Sequence, residues 1–256
     1  MSNYFIGSWI DAAIVERVKF MDFIATVGKS IALQGGSMQA KELQHPRVWE
    51  YCTAIALGNP MPGAAILDVG GAGSLFSWYL AHRGCLVTTT DLVEKNVIQC
   101  QEQNEELGYN VRAMKVGAAD MTFREEFDVV YSINVIEHVM EHARHAVDSS
   151  FTPGDSHYWT NNYTPSKDEV KAETAFVCGM TRALKPGGLL IVSYDYAAFG
   201  KYSSQMKCAF FRSLKDVDER IVETSGLLDV DPVKYKLTDD DYVPLASTGI
   251  VVLRKQ

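Results

Sequence analysis

The chain lacks the sequence features of secreted and membrane-embedded proteins. Its five cysteines are scattered over 256 residues, which fits neither a disulfide framework nor a paired-cysteine metal site. No run of residues is long and apolar enough to span a bilayer. Charged side chains such as Asp11 and Lys19 also interrupt the apolar residues of 1–22, so a signal peptide is not expected. We therefore expect a cytoplasmic protein without a membrane partner.

Positive charge is scarce as well. Lys and Arg total 24 against 32 Asp and Glu, which gives a formal net charge of -8. A chain with this balance repels the phosphate backbone of nucleic acids on average, so we expect no nucleic-acid partner. The hydrophobic content of 47% is enough for a large core. A small-molecule substrate is the expected partner, and the sequence leaves the oligomeric state open.

Two helices are predicted before residue 60. Apolar residues at helical spacing predict an amphipathic N-terminal helix that packs through them and acts as a lid or brace; they are Ile10, Ile14, Val18 and Met21. Residues 34–37 break this helix, and a second one is predicted over about 41–57. A Pro- and Gly-rich boundary follows. We therefore divide the chain into a helical extension, residues 1–62, and a catalytic domain, residues 63–256.

From Ala64 onward, short apolar runs alternate with helical patterns, as in a doubly wound α/β fold. Strands are predicted at 65–69, 86–90, 111–116, 127–133 and 189–194. Helices are predicted to begin near Ser74, Val93, Ile136 and Lys167, the last behind a capping box at 166–169. The tail predicts a helix over 217–224, ended by Gly226, and then two strand-like runs at 228–235 and 249–253.

The turn after the first strand has the composition of a nucleotide-binding loop. Gly70, Gly71, Ala72 and Gly73 are small enough for close backbone approach to a ligand, and the following helix directs unpaired amides at it. The second strand ends in Asp91, about 20 residues further on, the position from which a carboxylate reaches ribose hydroxyls. The two features together predict a cofactor that contains a ribose.

Three details separate the possible cofactors. A dinucleotide fingerprint needs a third glycine where this chain has Phe76, and Asp68 within the strand is unusual in a dehydrogenase. Asp120, after the third strand, could accept a hydrogen bond from an adenine amino group. Two alternatives stay open: an NAD-dependent oxidoreductase, and an inactive cofactor-binding scaffold or partner subunit in which Ala72 and Ser74 mark a decayed site.

Three segments resemble motifs of the class I S-adenosylmethionine-dependent methyltransferases. They are ILDVGGAG (66–73), FDVVYSINVIEHV (127–139) and RALKPGGLLIV (182–192). The resemblance implies a Rossmann-like methyltransferase fold, with a mostly parallel seven-stranded sheet whose last strand is antiparallel. It also implies S-adenosyl-L-methionine as the cofactor and a small-molecule acceptor.

The same resemblance assigns roles to individual residues. Asp68 and the loop 70–73 would surround the methionine part of the cofactor, although Ala72 replaces the usual glycine. Asp91 would bind the ribose. The adenine would be contacted by Leu92, Asp120 and Met121, and Asn134 would lie beside the sulfonium.

The helix after the fourth strand carries the candidates for acid-base chemistry. Glu137 and His138 lie at its start, where a base could deprotonate an acceptor hydroxyl. His138, His142 and His145 share one helix face, which admits a metal site, but without a second ligand cluster a solvated helix is favoured and no metal is predicted.

The substrate pocket is predicted from aromatic and amide-rich residues. The loop 151–165 contains His157, Tyr158 and Trp159 and is predicted to form a substrate wall, with an ordinary surface loop as the alternative. Tyr51 and His142 are further candidates for contact with the substrate. A similarity to methyltransferases that accompany surface-glycan enzymes, around 49–51 and in the tail, implies a sugar or nucleotide-sugar hydroxyl as the acceptor.

Overall fold

The computed structural model describes residues 3–33, 47–147, 165–196, 214–230, 235–236 and 247–256. The chain divides into two compact units. The first contains the chain up to Val116 and also Phe127–Tyr131. The second contains Gly117–Glu126 and the chain from Ser132 onward. The division into an extension and a catalytic domain at residue 62 stays a prediction, and both N-terminal helices belong to the first unit.

The first unit combines the N-terminal helices with the first strands of the α/β pattern. β1 pairs in parallel with β2 and with β4, and β2 pairs in parallel with β3. Ile66 and Leu67 on β1 are fully buried, as expected for a strand between two others in a parallel sheet. The elements are α1 (Asn3–Leu33), α2 (Arg47–Gly58), β1 (Ala65–Val69), α3 (Leu75–His82), β2 (Leu86–Asp91), α4 (Glu94–Leu107), β3 (Arg112–Lys115) and most of β4 (Phe127–Ile133).

The second unit contains the later helices and the antiparallel strands. β8 pairs antiparallel with β5, β6 and β7. The tail helix continues from α7 through a π-helical stretch (Asp218–Val222) to a last turn (Glu223–Ser225), and it ends at Gly226 with φ 64°. The elements are α5 (Ile136–Val147), α6 (Lys167–Ala183), β5 (Leu184–Tyr196), α7 (Leu214–Val217), β6 (Leu228–Asp229), β7 (Tyr235–Lys236) and β8 (Ser247–Arg254).

The strand order confirms the predicted fold class. Seven strands follow one another as β3-β2-β1-β4-β5-β8-β6, and β7 pairs with β8. This is the doubly wound sheet with a reversed last strand of the Rossmann-like methyltransferase fold. All five predicted strands are present with shifted ends in some cases; the fifth, for example, begins at Leu184 rather than 189. No helix in the described part of the chain is both long and apolar enough to span a bilayer.

Two of the predicted helix starts are confirmed by side-chain caps. The Ser74 side chain accepts a hydrogen bond from the Ser77 backbone at the start of α3. At the start of α6, Ser166 and Glu169 each bond to the other's backbone, which is the predicted capping box. The predicted break at 34–37 and residues 41–46 of the second helix lie outside the described residues.

The predicted packing face of α1 is wrong. Ile14 is 58% exposed, Val18 is 59% exposed and Met21 is 47% exposed, whereas Phe20 is fully buried on the other side of the helix. Glu16 is buried on the same face of the helix as Phe20. Its carboxylate accepts hydrogen bonds from Tyr79 Oη at 2.6 Å and from Arg83 Nη1 at 2.8 Å. A buried carboxylate is tolerated when it is paired in this way, so the polar partners on α3 and at its C-terminal cap favour burial of this face. The side chain of Ile10 lies outside the described residues.

Candidate active site

The loop after β1 adopts the conformation that its small residues allow. Gly70 has φ 78° and Gly73 has φ 81°, in the left-handed region that favours glycine, whereas Ala72 does not lie in that region. The Gly70 backbone N–H donates to the Thr90 carbonyl oxygen at 2.7 Å, which ties the loop to the end of β2. Ala72 therefore fits the loop without backbone strain, although its methyl group is buried.

Asp68 lies at the centre of a buried polar cluster beneath this loop. Its Oδ2 accepts hydrogen bonds from Ser77 Oγ at 2.6 Å and from Ser74 Oγ at 3.4 Å. The pKa of Asp68 is raised to about 6, mainly by burial and in part by the Asp91 charge, while the hydrogen bonds from the two serine hydroxyls lower it. A Cβ atom at Gly71 would stand 2.6 Å from Asp68 Oδ1, far inside normal contact. Glycine is thus required here if the Asp68 carboxylate keeps its position.

Asp91 ends β2 in a half-buried position and is oriented by the start of α4. Its Oδ1 accepts from the Val93 backbone N–H at 2.7 Å, and its Oδ2 accepts from Asn96 Nδ2 at 3.0 Å. These contacts fix the carboxylate at the carboxyl end of the strand, as a ribose-binding acid requires. The neighbouring Leu92 is 53% exposed.

Three of the residues predicted to contact the adenine or the sulfonium belong to the second unit: Asp120, Met121 and Asn134. Asp120 is exposed in a single 3₁₀ turn, and the next residue, Met121, is buried and accepts at its carbonyl oxygen from Arg182. Asn134 follows β4 with φ 55°, a conformation that asparagine tolerates better than most residues. Its backbone N–H donates to Ser193 Oγ at 2.9 Å, so the turn is fixed from β5.

The predicted catalytic residues occupy the first turn of α5 but differ in exposure. Glu137 is fully buried. The side chain of His138 is 45% exposed, and its Nδ1 lies 2.9 Å from Oε2 of the buried Glu141. His142 is exposed one turn further along. Within the described residues, no group of three or more metal-ligating side chains is placed to hold a metal ion.

The predicted substrate residues are only partly described. Tyr51 is 4% exposed and packs in an aromatic core, with its ring centroid 5.9 Å from Phe20 and 5.0 Å from Phe76. This packing gives Tyr51 a structural role, and a contact with substrate stays a prediction. His157, Tyr158 and Trp159 lie outside the described residues.

Sequence reasoning missed the partners that orient the acidic residues. Ser77 and Asn96 were not among the candidates. Ser77 donates a hydrogen bond to the Asp68 carboxylate, and Asn96 donates one to the Asp91 carboxylate. The three-residue spacing of Ser74 and Ser77 was an available signal, because residues three apart on a helix lie on one face.

A doubly wound sheet with a glycine-rich loop after β1 and an acidic residue at the end of β2 is the arrangement typical of enzymes that bind a nucleotide-like cofactor. Comparisons with known proteins identify the class of enzyme. Residues 67–149 match the family model described as a methyltransferase domain. A ubiquinone biosynthesis O-methyltransferase from Pseudoalteromonas translucida is 31% identical over 183 residues, which cover 68% of this chain and 71% of that protein. One from Paramagnetospirillum magneticum is 38% identical over 84 residues, which cover 33% of this chain and only 34% of that protein.

A solved structure gives the same fold. Magnesium protoporphyrin IX methyltransferase from Synechocystis PCC 6803, with bound S-adenosylmethionine, superimposes with a TM-score of 0.55 at 16% identity. The match covers 94% of this chain and 97% of that one. The chain belongs to the class I S-adenosylmethionine-dependent methyltransferases. Its cofactor is S-adenosyl-L-methionine, and the small residues of the loop, the N-terminus of α3 and the Asp91 carboxylate fit this ligand.

Proposed function

We propose that the protein transfers the methyl group of S-adenosylmethionine to a hydroxyl oxygen of a small molecule, and that this hydroxyl is phenolic. The support comes from the relatives, which are named as O-methyltransferases of ubiquinone biosynthesis. Methylation at oxygen in the formation of a quinone ring acts on a ring hydroxyl. None of these names refers to a sugar, so a nucleotide sugar serves only as the alternative acceptor in the assay.

The cofactor is proposed to bind to the residues that the family resemblance assigns. Asp68 and the loop 70–73 contact the methionine part, and the Asp91 carboxylate accepts from the ribose hydroxyls. The adenine contacts are Leu92, Asp120 and Met121, and Asn134 lies beside the sulfur. The arrangement of the loop and the fixed orientation of both carboxylates within the first unit support this assignment.

His138 is proposed as the general base, and the observation that carries this is its pairing with Glu141. When Nδ1–H donates to a carboxylate, the lone pair of the neutral imidazole is on Nε2, where it can accept a proton. S-adenosylmethionine supplies an activated methyl group, so the protein mainly has to position the acceptor and remove its proton. Glu137 is less suited to this task because it is fully buried.

Replacing His138 with Ala is expected to lower kcat about 100-fold or more while leaving cofactor affinity unchanged. The assay follows transfer of a labelled methyl group from S-adenosylmethionine to catechol or to UDP-glucose.

His145→Ala is the matched control, because it removes the same side chain from the last turn of the same helix. It should retain normal kcat. Methylation of UDP-glucose but not catechol would contradict the phenolic acceptor. Unchanged kcat in His138→Ala, with catechol as the substrate, would contradict the assignment of the base.

A further inference from the structure

Ser77 connects the cap of α3 to the buried carboxylate of Asp68. Its side chain is completely buried, and its Oγ donates to Asp68 Oδ2 at 2.6 Å. Its backbone N–H donates to Ser74 Oγ at 3.3 Å, and Ser74 Oγ is itself 3.4 Å from the same carboxylate oxygen. Ser77 is therefore joined to the start of the helix and to the acid beneath the glycine-rich loop.

We propose that Ser77 is a positioning residue of the cofactor site, and that its hydroxyl holds the Asp68 carboxylate in the orientation that binds S-adenosylmethionine. This inference rests on the proposed role of Asp68 in cofactor binding. Ser77 acts through Asp68 and needs no contact with the cofactor itself. Its hydrogen bond is the shorter of the two serine contacts to Oδ2, so it is the stronger constraint on the carboxylate.

The position of the carboxylate is restricted on its other side by the loop. The space where a Gly71 side chain would begin is already occupied by the Asp68 carboxylate. The carboxylate is thus enclosed between the loop backbone and the serine hydroxyls. A rotation of Asp68 would break the Ser77 hydrogen bond, which gives a geometric reason for a buried serine at this point of α3.

The charge on Asp68 depends on the same hydrogen bond. Among the described residues, the titratable groups that interact electrostatically with Asp68 include Asp91 on β2, Cys100 on α4 and Tyr131 on β4. Burial and Asp91 raise the pKa of Asp68, and the Ser77 hydroxyl is the largest contribution that lowers it. Removing this hydroxyl should therefore raise the pKa further, so that ionisation, and with it cofactor binding, requires a higher pH.

The test is the affinity for S-adenosylhomocysteine of the full chain, measured by titration calorimetry between pH 5 and 8. In the unchanged protein, affinity should fall on acidification with a midpoint near pH 6, where the buried Asp68 takes up its proton. In Ser77→Ala we expect the midpoint to move up by about one pH unit, and the affinity near pH 6.5 to be roughly threefold weaker. A purely structural role for Ser77 would not move the midpoint.

Two further variants keep the outcomes distinct. Ser225→Ala removes another largely buried hydroxyl, one that bonds to backbone atoms of 222 and 227, and should leave both the midpoint and the affinity unchanged. Asp68→Asn should lose affinity and its pH dependence. If Asp68→Asn binds normally, the proposed cofactor site fails. If Asp68→Asn loses affinity while Ser77→Ala shows the original midpoint and affinity, the role of Ser77 is overturned and the site stands.

Ser77→Cys covers the case in which the alanine variant does not fold. Cysteine is close to serine in size but is a weak hydrogen-bond donor, so the midpoint should shift in the same direction by a smaller amount. Thermal unfolding of each variant establishes that it is folded. An unshifted midpoint in folded Ser77→Cys, when the alanine variant is unfolded, would also overturn the proposal.

Discussion

Replacing Asp68 with Asn should weaken cofactor binding by about 10- to 100-fold and at the same time make the cofactor-free protein more stable at neutral pH. Binding is lost because the amide carries no negative charge. Stability rises because burial is the main cause that raises the pKa of Asp68 to about 6 from its ordinary value of 3.8. At neutral pH the folded protein therefore holds a buried charge that it would be more stable without.

The sign of the pH dependence follows from this shift. Below about pH 4, Asp68 is protonated in both folded and unfolded chains, and the variant and the unchanged protein should be equally stable. As the pH rises through about 6 the unchanged protein loses stability, because its unfolded state ionises more readily. The shift of about two pKa units limits the difference in stability between the variant and the unchanged protein to about 3 kcal/mol. We expect a difference of about 1 to 2 kcal/mol, because the amide also changes the hydrogen bonds at this position.

Thermal unfolding at pH 4 and pH 7 without cofactor measures this difference. At pH 7 the Asn variant should unfold roughly 2 to 6 °C higher than the unchanged protein, and at pH 4 the difference should be much smaller. A variant that is less stable at pH 7, or whose difference does not depend on pH, would show that ionised Asp68 is not the destabilising group.

The face of α1 that carries Phe20 packs against other elements of the first unit. Phe20→Ala should destabilise the protein by about 3 to 5 kcal/mol, because it removes a fully buried ring. That ring contacts Tyr79 edge-on at 5.1 Å and also Tyr51 at 5.9 Å between centroids. Val18→Ala, two residues earlier on the exposed face, should change stability by less than about 0.5 kcal/mol.

Denaturant unfolding of both variants provides the comparison, with loss of stability read from the transition midpoint. Because both residues lie on the same helix and both changes are to alanine, helix propensity makes only a small contribution to the difference. If Val18→Ala costs as much as Phe20→Ala, the exposed stripe is buried against another part of the protein or another molecule in solution, and the packing described above is wrong.

Much of the α/β core could be predicted because its signals are local. The apolar run of β1 ends at Gly70, and Ser74 caps the next helix, so strand, turn and helix follow from neighbouring residues. Ser166 and Glu169 likewise announce α6 three residues apart. The positions of Asp68 and Asp91 at adjacent parallel strands follow from the same pattern.

The orientation of α1 could not be predicted, since it depends on residues far along the chain. Glu16 looks like a surface residue in isolation, but its hydrogen bonds come from Tyr79 and Arg83, 63 and 67 positions later. The exposed Ile14 and Val18 satisfy helical periodicity as well as the buried Phe20 does. The role of Ser77 follows only in part from the sequence. The spacing of Ser74 and Ser77 indicates a shared helix face, but the hydrogen bond depends on the orientation of the Asp68 side chain beneath the loop.

The most direct test of the cofactor site is thermal unfolding of the unchanged protein and of Asp91→Ala, each with S-adenosylhomocysteine, with NAD or with no ligand. At a ligand concentration about 100 times the Kd, S-adenosylhomocysteine should stabilise the unchanged protein by about 2.7 kcal/mol, or roughly 5 to 10 °C. NAD should have no effect. Asp91→Ala should fold normally and lose most of the shift. An equal shift in Asp91→Ala, or a shift with NAD alone, would contradict the assignment of this carboxylate to the ribose of S-adenosylmethionine.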